Sequence, residues 1–481
     1  MRKLIASAIV VICLIIFSIN PVLSEEPPWP MHANDYGGTR YSPRAPVENP
    51  WTEPVVNEEV LKRKLGLEEI STLSGGSGSF LLIGPDDILL FPVSGGERRY
   101  LVAYDPEGDI EPWYRPIPPR FYPGLGHVPA ISPDGTVYTY GEEGELVGID
   151  IYTGEVVWEP KCEELLPSPW NAFCRMDQQV GLSTLGSILI SHSGDLVTNY
   201  KGLPIYLGSS HELRGIWLES LKGGQGTYYP SSARALDRSG TFYVFAAQWK
   251  KKSSDTFAPL NSTVIALSPN FEEKWRSEIP DLKHGPGTSD VSLVIGENSI
   301  FVLSLEEEDN AVVICLDIKT GEVKWSRTFS STASNLPRST LSRPILGPDS
   351  MGSFYILLST ESGLELTSLN AKDGSINWTK TLSGKANPKK NYQMVMAGKK
   401  IYAGTDRGLL QIDGSSGDIS PCVIPAYDIK SMAVNEKGVI YLFGDTGKVG
   451  IPGSNGLIMR TTPNSEPMID SFEAVIERYD E

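Results

Sequence analysis

The chain has 481 residues, 40% of them hydrophobic, which supplies a large buried core and excludes a disordered chain. Its 42 Lys and Arg against 59 Asp and Glu leave a formal net charge of −17. Wrapping nucleic acid and coating an anionic membrane both need basic surface, so this charge argues against either role. The 47 Gly and 36 Pro favour many turns over long helices.

The N-terminus has the pattern of an export signal. A basic start precedes a mostly apolar run over residues 4–19, and Val22 and Ser24 occupy the −3 and −1 positions of a cleavage site. The apolar run is short for a spanning helix, so an uncleaved signal anchor is the alternative. We therefore expect residues 1–24 to form a signal peptide, and the mature protein to be exported to the periplasm, the cell surface or the extracellular space.

Four cysteines follow the signal segment. Cys162 and Cys174 bracket a loop rich in Pro and polar residues, and in an oxidising compartment they can pair. Cys315 lies in the apolar run Val312–Leu316, which predicts a buried free thiol. The sequence makes Cys162 and Cys174 the candidate disulfide, with two free thiols as the alternative.

The most informative feature is an eleven-residue repeat. Segments Gly148–Trp158 and Cys315–Trp325 share Asp, Thr, Gly, Glu and Trp at the same spacings, and weaker copies occur elsewhere in the chain. Asp starts a tight turn by bonding its own backbone, and Gly accepts the positive φ that closes it. The Trp then covers the gap between neighbouring sheets. The predicted structural tryptophans are Trp113, Trp158, Trp275, Trp325 and Trp378.

A second element, a turn followed by a short β-branched and aromatic run, occurs eight times between Ile88 and Val439. The mean spacing is about 50 residues, which is the length of one four-stranded propeller blade. We therefore predict an all-β protein, a single β-propeller of four-stranded blades with eight blades. Seven blades is the alternative, because the interval from Ile401 to Val439 is short.

The repeats also predict how the chain is divided. Residues 25–73 are expected to close the ring, residues 74–460 to form the propeller, and residues 461–481 to form a tail. Within the tail, a capping-box spacing and apolar residues on one face predict a short helix over Asp470–Ile476.

These repeats resemble the tryptophan-docking repeats of the quinoprotein dehydrogenase superfamily, the pyrroloquinoline-quinone-like propellers. The segment Trp29–Pro43 is similar to the opening segment of that family, which lends its first residues to the last blade. The resemblance covers most of residues 29–460 and implies the fold. It does not specify the chemistry, because the docking repeat occurs in members with and without a cofactor.

Two functions follow from the resemblance. Enzymes of the superfamily hold the quinone on the ring axis over a Trp and beside Ca²⁺, and many cover it with a disulfide between adjacent cysteines. This sequence has no adjacent cysteines, and no matching Ca²⁺ triad is found in it. We therefore expect a non-catalytic binding or scaffold module without a cofactor, whose partner is a protein or a glycan and not a nucleic acid. The alternative is a pyrroloquinoline-quinone- and calcium-dependent alcohol or sugar dehydrogenase.

The histidines give no support for a metal centre. They are scattered along the chain, and none shares the spacing of a metal-ligand pair with another. We expect structural or surface roles for all five, which are His32, His127, His192, His211 and His284.

Overall fold

The fold is seen in a computed structural model of the chain, and it consists almost entirely of strands. The structure describes residues 41–42, 51–66, 71–72, 80–95, 98–117, 128–141, 144–166, 168, 188–191, 193–200, 203–216, 227–237, 239–251, 257–279, 291–305, 310–330, 344–347, 352–384, 392–405, 408–424, 428–435, 437–445 and 456–462. Within these residues the two α-helices are α1 (Glu58–Leu65) and α2 (Cys162–Leu165), and a 3-10 turn covers Pro85–Asp87.

The described strands form eight sheets, numbered here in chain order from the sheet that begins near residue 71. Two strands precede it: β1 (Tyr41–Ser42) and β2 (Trp51–Asn57). Sheet 1 contains β3 (Ser71–Thr72), β4 (Leu82–Ile83), β5 (Leu89–Gly95), β6 (Arg98–Tyr104) and β7 (Trp113–Ile117). Sheet 2 contains β8 (Ala130–Ile131), β9 (Thr136–Tyr140), β10 (Leu146–Asp150) and β11 (Val156–Trp158).

The next four sheets are each built from four consecutive strands. Sheet 3 contains β12 (Leu189–Ile190), β13 (Leu196–Tyr200), β14 (Leu203–Leu207) and β15 (Leu213–Ile216). Sheet 4 contains β16 (Thr227–Leu236), β17 (Phe242–Lys251), β18 (Phe257–Leu267) and β19 (Glu273–Ile279). Sheet 5 contains β20 (Val291–Ile295), β21 (Ser299–Leu305), β22 (Asn310–Asp317) and β23 (Val323–Ser330). Sheet 6 contains β24 (Ile345–Leu346), β25 (Ser353–Thr360), β26 (Gly363–Asn370) and β27 (Ile376–Ser383).

The last two sheets each take in a strand from the start of the chain. Sheet 7 contains β28 (Met394–Ala397), β29 (Lys400–Thr405), β30 (Gly408–Asp413) and β31 (Ile419–Ile424), with β1 parallel to β28. Sheet 8 contains β32 (Asp428–Val434), β33 (Ile440–Asp445) and β34 (Gly456–Thr462). Its fourth strand is β2, which pairs antiparallel with β34 and places Trp51 opposite Thr462.

Burial follows the position of a strand within its sheet. The central strand β25 is buried along seven of its eight residues, as expected for a strand covered on both faces. The outermost strand β23 instead alternates between exposed and half-buried residues over most of its length. In sheets 4 to 8 the first strands contact one another, which places them near the centre of the ring and places β19, β23, β27 and β31 towards the outside.

Among the described residues, the core is divided into eight apolar clusters, and each cluster joins two consecutive sheets. One of them joins the ends of the ring, because Ala433 and Phe443 of sheet 8 pack with Leu89 and Phe91 of sheet 1. Leu61 of α1 is buried in the same cluster.

The predicted all-β propeller built from four-stranded sheets is confirmed. The number of complete blades and the domain boundaries stay predictions, because segments between the sheets lie outside the described residues, as does the helix expected over Asp470–Ile476. Within the described part of the chain, no helix is long and apolar enough to cross a membrane.

Candidate functional site

Four of the five repeat tryptophans contact the turn of the next sheet in the same way. The indole Nε1 donates a hydrogen bond to a backbone carbonyl, and the ring lies against a glycine. The donor and acceptor pairs are Trp113 with Ile151 (2.7 Å), Trp275 with Ile318 (3.0 Å), Trp325 with Ala371 (3.1 Å) and Trp378 with Gly414 (3.1 Å).

The junction between sheets 5 and 6 shows why glycine is needed beneath the indole. Gly374 has φ +72°, a conformation that glycine adopts without steric cost. A Cβ at this position would lie only 2.6 Å from the ring of Trp325. Both the backbone conformation and the space therefore require glycine here.

At the junction between sheets 4 and 5, the turn beneath the indole of Trp275 is held by Asp317. Asp317 Oδ1 accepts hydrogen bonds from the backbone N–H groups of Lys319 (2.9 Å) and Thr320 (3.1 Å). Its other oxygen lies 3.0 Å from Lys324 Nζ. The hydrogen bond from Lys324, followed by those from the backbone, lowers the pKa of Asp317. The ionised carboxylate is thus the form that stabilises the turn.

Two arginines extend the contact, and the sequence analysis missed them. Arg115 donates from Nε (2.9 Å) and from its terminal nitrogen (2.6 Å) to the carbonyl of Gly154. Arg327 donates to the carbonyl of Gly374 at 2.8 Å. Both arginines stand two residues after a repeat tryptophan, so a Trp-x-Arg spacing was the available signal.

The remaining repeat tryptophan, Trp158, contacts a histidine instead of a glycine. Its ring stacks on His211 of sheet 3 with ring centroids 4.3 Å apart and planes inclined by 15°. His211 has φ +66°, so it occupies the conformation that glycine has in the other turns. His211 Nε2 also lies 2.7 Å from the hydroxyl of Tyr138 in sheet 2.

The junction between sheets 3 and 4 departs further from the repeat. Gly215 pairs with Tyr206 as Trp158 pairs with Gly148, so glycine replaces the tryptophan. Phe271, at φ +58°, replaces the glycine of the following turn and lies close to Gly215. The positions of large and small residues are therefore exchanged at this junction.

The structure places the predicted cysteines as follows. Cys162 is disulfide-bonded at the start of α2. Cys174 lies outside the described residues, so its pairing with Cys162 stays a prediction. Cys315 is a buried free thiol in the cluster between sheets 5 and 6, and burial raises its pKa. Of the five histidines, only His211 falls within the described residues.

Several outermost strands expose large apolar side chains. Val156 and Val157 are consecutive on β11 and are 41% and 57% exposed. Exposed glutamates, Glu155 and Glu159, stand on either side of the Val156–Trp158 strand. Single exposed apolar residues on other outer strands are Tyr114, Val323 and Ile376.

The chain is similar in sequence to one family of known proteins. The family model described as "Outer membrane protein assembly factor BamB" matches residues 97–175 and 260–420, which include all five repeat tryptophans and part of every sheet from 1 to 7 except sheet 3. This chain belongs to the pyrroloquinoline-quinone-like β-propeller superfamily. None of the curated proteins matches it in sequence.

Solved structures similar to this propeller include two dehydrogenases and BamB. The quinohemoprotein alcohol dehydrogenase from Comamonas testosteroni is 14% identical with a TM-score of 0.56, covering 94% of this chain and 83% of that one. BamB from Moraxella catarrhalis is 14% identical with a TM-score of 0.48, covering 85% and 98%. A europium-containing methanol dehydrogenase is 12% identical with a TM-score of 0.49, covering 87% and 90%. At these identities the likeness concerns the fold alone.

The described part of the propeller contains no group of three His, Cys, Asp or Glu side chains close enough together to hold a metal ion. On β16, burial lowers the pKa of Arg234 to about 10, while the field of Tyr140 opposes that shift. Amide and carbonyl oxygens also bind Ca²⁺, so the expectation that no cofactor binds stays a prediction.

Proposed function

We propose that this propeller is a non-catalytic exported module that binds a protein through the outer edge of sheet 2. The observation that carries the proposal is the pair Val156 and Val157, two exposed apolar residues in succession on an outermost strand. An outermost strand has backbone N–H and C=O groups on its free edge, and an extended segment of another chain can pair with them.

Charge around the edge defines the kind of segment that fits. Exposed Glu155 and Glu159 flank the Val156–Trp158 strand, in a chain whose net charge is −17. A segment with apolar residues between Lys or Arg would pair its apolar side chains with the valines and its cations with the glutamates. The partner we propose is therefore a protein that presents an extended, basic and apolar segment.

The family match supports a role in protein binding. The matching model is described as an assembly factor for outer membrane proteins, which is a function exercised on other proteins. The N-terminal pattern of an export signal is compatible with a partner met outside the cytoplasm.

The test is site-specific photo-crosslinking of the full mature chain in an extract of exported proteins. A photoreactive amino acid at Val157 should give discrete protein adducts, whereas the same group at Lys372, exposed in the turn of sheet 6, should not. Adding Val156→Ser to the Val157 probe should reduce the adducts, and Val323→Ser on sheet 5 is the matched control. Equal adducts from both probes would contradict binding at this edge.

A second measurement separates binding from catalysis. The purified chain is titrated with pyrroloquinoline quinone and Ca²⁺, and reduction of a dye is followed with alcohols and sugars as substrates. We expect neither stoichiometric quinone binding nor substrate-dependent reduction. Stoichiometric binding with turnover would replace the proposed function with the dehydrogenase alternative.

A further inference from the structure

We propose that the junction between sheets 2 and 3 is an acid-sensitive latch, in which protonation of His211 loosens the contact between Trp158 and sheet 3. This inference goes beyond the proposed function and does not depend on it. It rests on three features of this junction: the backbone conformation of His211, its two ring contacts, and the charges around it.

The backbone shows that His211 occupies the place of a glycine. The turn is closed by hydrogen bonds from Gly208 N–H to the carbonyl of Glu212 (2.9 Å) and from His211 N–H to the carbonyl of Gly208 (2.8 Å). His211 lies in this turn at φ +66°, a conformation disfavoured for a residue with a Cβ. The ring contacts of His211 must therefore hold it there.

Those contacts suit a neutral imidazole. The ring stacks on Trp158 at 4.3 Å, and Nε2 lies 2.7 Å from the hydroxyl of Tyr138, which is itself buried. Burial raises the pKa of Tyr138 to about 12, so this hydroxyl keeps its proton at all ordinary pH values. In the neutral tautomer that carries its proton on Nδ1, Nε2 accepts that proton in a hydrogen bond.

Protonation removes the acceptor. With a proton on Nε2, the imidazolium N–H points at the tyrosine oxygen, so the hydroxyl hydrogen must turn to a different acceptor. No other hydrogen bond of this hydroxyl is found within the described parts of the chain. The attraction of a cation for the indole face opposes the change, but burial lowers the pKa of His211 overall, so the folded junction favours the neutral ring.

The charged groups around His211 stay fixed over the pH range in which it titrates. Hydrogen bonds from Ser210 and Arg214 lower the pKa of Glu212 to about 2. Burial raises the pKa of Asp134, in the turn before β9, but hydrogen bonds led by that of Ser132 outweigh this effect and lower it.

Two further groups complete the surroundings. Arg214 on β15 stays cationic, since the hydrogen bond to Glu212 raises its pKa, and it also lies 3.3 Å from Asp195. Glu159 adjoins Trp158 on β11 and is exposed. Among the described groups named here, therefore, His211 is the one whose charge changes between pH 7.5 and 5.5.

The direction of the effect follows from linkage. Because the pKa of His211 is lower in the folded junction than in an opened one, the opened form binds more protons as the pH falls through about 6.5. The contribution of neutral His211 to the stability of the closed junction is thus fully present above that pH and is lost below it. An opened junction would free Trp158 and the adjoining edge of β11.

The test is hydrogen exchange of the full chain at pH 7.5 and 5.5, corrected for the intrinsic pH dependence of exchange. Protection of peptides covering β11 and the turn 208–212 should fall at least five-fold at pH 5.5. Peptides covering the turn of sheet 6, where Gly374 replaces the histidine, should keep their protection. In His211→Asn, which accepts a positive φ but does not titrate, the loss at sheets 2 and 3 should disappear.

Each contrary result overturns the proposal: unchanged protection in the natural chain, an equal loss in the asparagine variant, or an equal loss at sheet 6. If His211→Asn does not fold, His211→Gly, which restores the residue type of the other turns, serves in its place. The imidazole proton resonance of His211, assigned by its absence in the variant, gives a second readout. A titration midpoint at or above 6.5 would also overturn the proposal.

Discussion

Asp87 and Lys437 stand 350 residues apart in the chain, yet Asp87 Oδ2 lies 2.7 Å from Lys437 Nζ. The other oxygen of Asp87 accepts a hydrogen bond from Asn435 Nδ2 at 2.9 Å. The neighbouring Asp86 accepts one from Tyr152 in sheet 2 at 3.0 Å. The turn Pro85–Asp87 therefore connects the last sheet, the first and the second.

Removing the two members of this ring-closing pair should have unequal effects. Lys437 is largely exposed, so Lys437→Met should lower the free energy of unfolding by about 0–1 kcal/mol. Asp87→Ala also removes the hydrogen bond from Asn435 Nδ2, and we expect a loss of about 1–2 kcal/mol. Urea denaturation at low and high salt checks both values, and only the Lys437→Met effect should vanish in salt. Equal losses would mean that the hydrogen bond to Asn435 contributes nothing.

Trp325→Ala should lower the thermal stability of the protein without abolishing the binding of any ligand. The substitution deletes the hydrogen bond to Ala371 and the indole that covers the junction of sheets 5 and 6. A fully buried Trp→Ala change typically costs about 3–5 kcal/mol, and the lower end applies because Trp325 is half-buried. Thermal unfolding measures the change, with Trp325→Phe as the control that keeps an aromatic ring. If stability survived while binding of a ligand was lost, the structural role of Trp325 would be wrong.

Two glycine substitutions separate backbone strain from lack of space. Gly374→Ala introduces both backbone strain and a steric clash, because its φ is +72° and its Cβ would lie 2.6 Å from Trp325. Gly108→Ala introduces backbone strain alone, since φ is +85° but no atom lies within 4 Å of its Cβ. We expect a loss of about 1 kcal/mol for Gly108→Ala and a clearly larger one for Gly374→Ala. Similar melting temperatures for the two variants would show that the indole moves aside freely.

Asp317 should make the turn of sheet 5 sensitive to acid. Its pKa is lowered in the folded chain by Lys324 and the turn backbone, so its contribution to stability is present above the unfolded pKa of about 3.9. That contribution is lost as the pH falls through the lower, folded value. Comparing the pH dependence of unfolding for the natural chain and Asp317→Asn should show a smaller acid loss in the variant. Superimposable pH profiles would contradict the ion pair.

The disulfide of Cys162 should stabilise the end of sheet 2. Reduction should lower the melting temperature, and if the partner is Cys174 the loop that opens is short, worth about 3 kcal/mol in the chain-entropy view. Peptide mapping without reduction identifies the partner directly. Cys174→Ser should add one free thiol, that of Cys162, to those of the natural chain, and Cys315→Ser, which removes a free thiol, is the matched control. A disulfide that persists in Cys174→Ser would assign Cys162 to another cysteine.

The regular junctions could be predicted because their chemistry allows few residue types. Asp317 must accept backbone hydrogen bonds, Gly321 must adopt φ +75°, and Trp325 must reach the next sheet. Because each role restricts the residue type, the same residues recur at the same positions of the repeat. Eight recurring strand segments likewise predicted the sheets, because buried β-branched runs are limited to few residue types.

The irregular junctions and helix α1 could not be predicted from the sequence, and the reason is different for each. His211 and Phe271 adopt positive φ, which their residue types disfavour, so no pattern in the sequence points to them. Helix α1 has only eight residues, too short a window for helical periodicity, although Leu61 is completely buried. In these places tertiary packing decides the local conformation.

The pairing of β2 with β34 also sets an order of events during synthesis. Trp51–Asn57 leaves the ribosome long before Gly456–Thr462, with about 400 residues between them. At roughly 5–20 residues per second this strand waits about 20–80 s for its partner. Throughout that time its edge is open to pairing with a neighbouring nascent chain, so one chain's β2 inserted into another's last sheet is the expected misassembly of this ring.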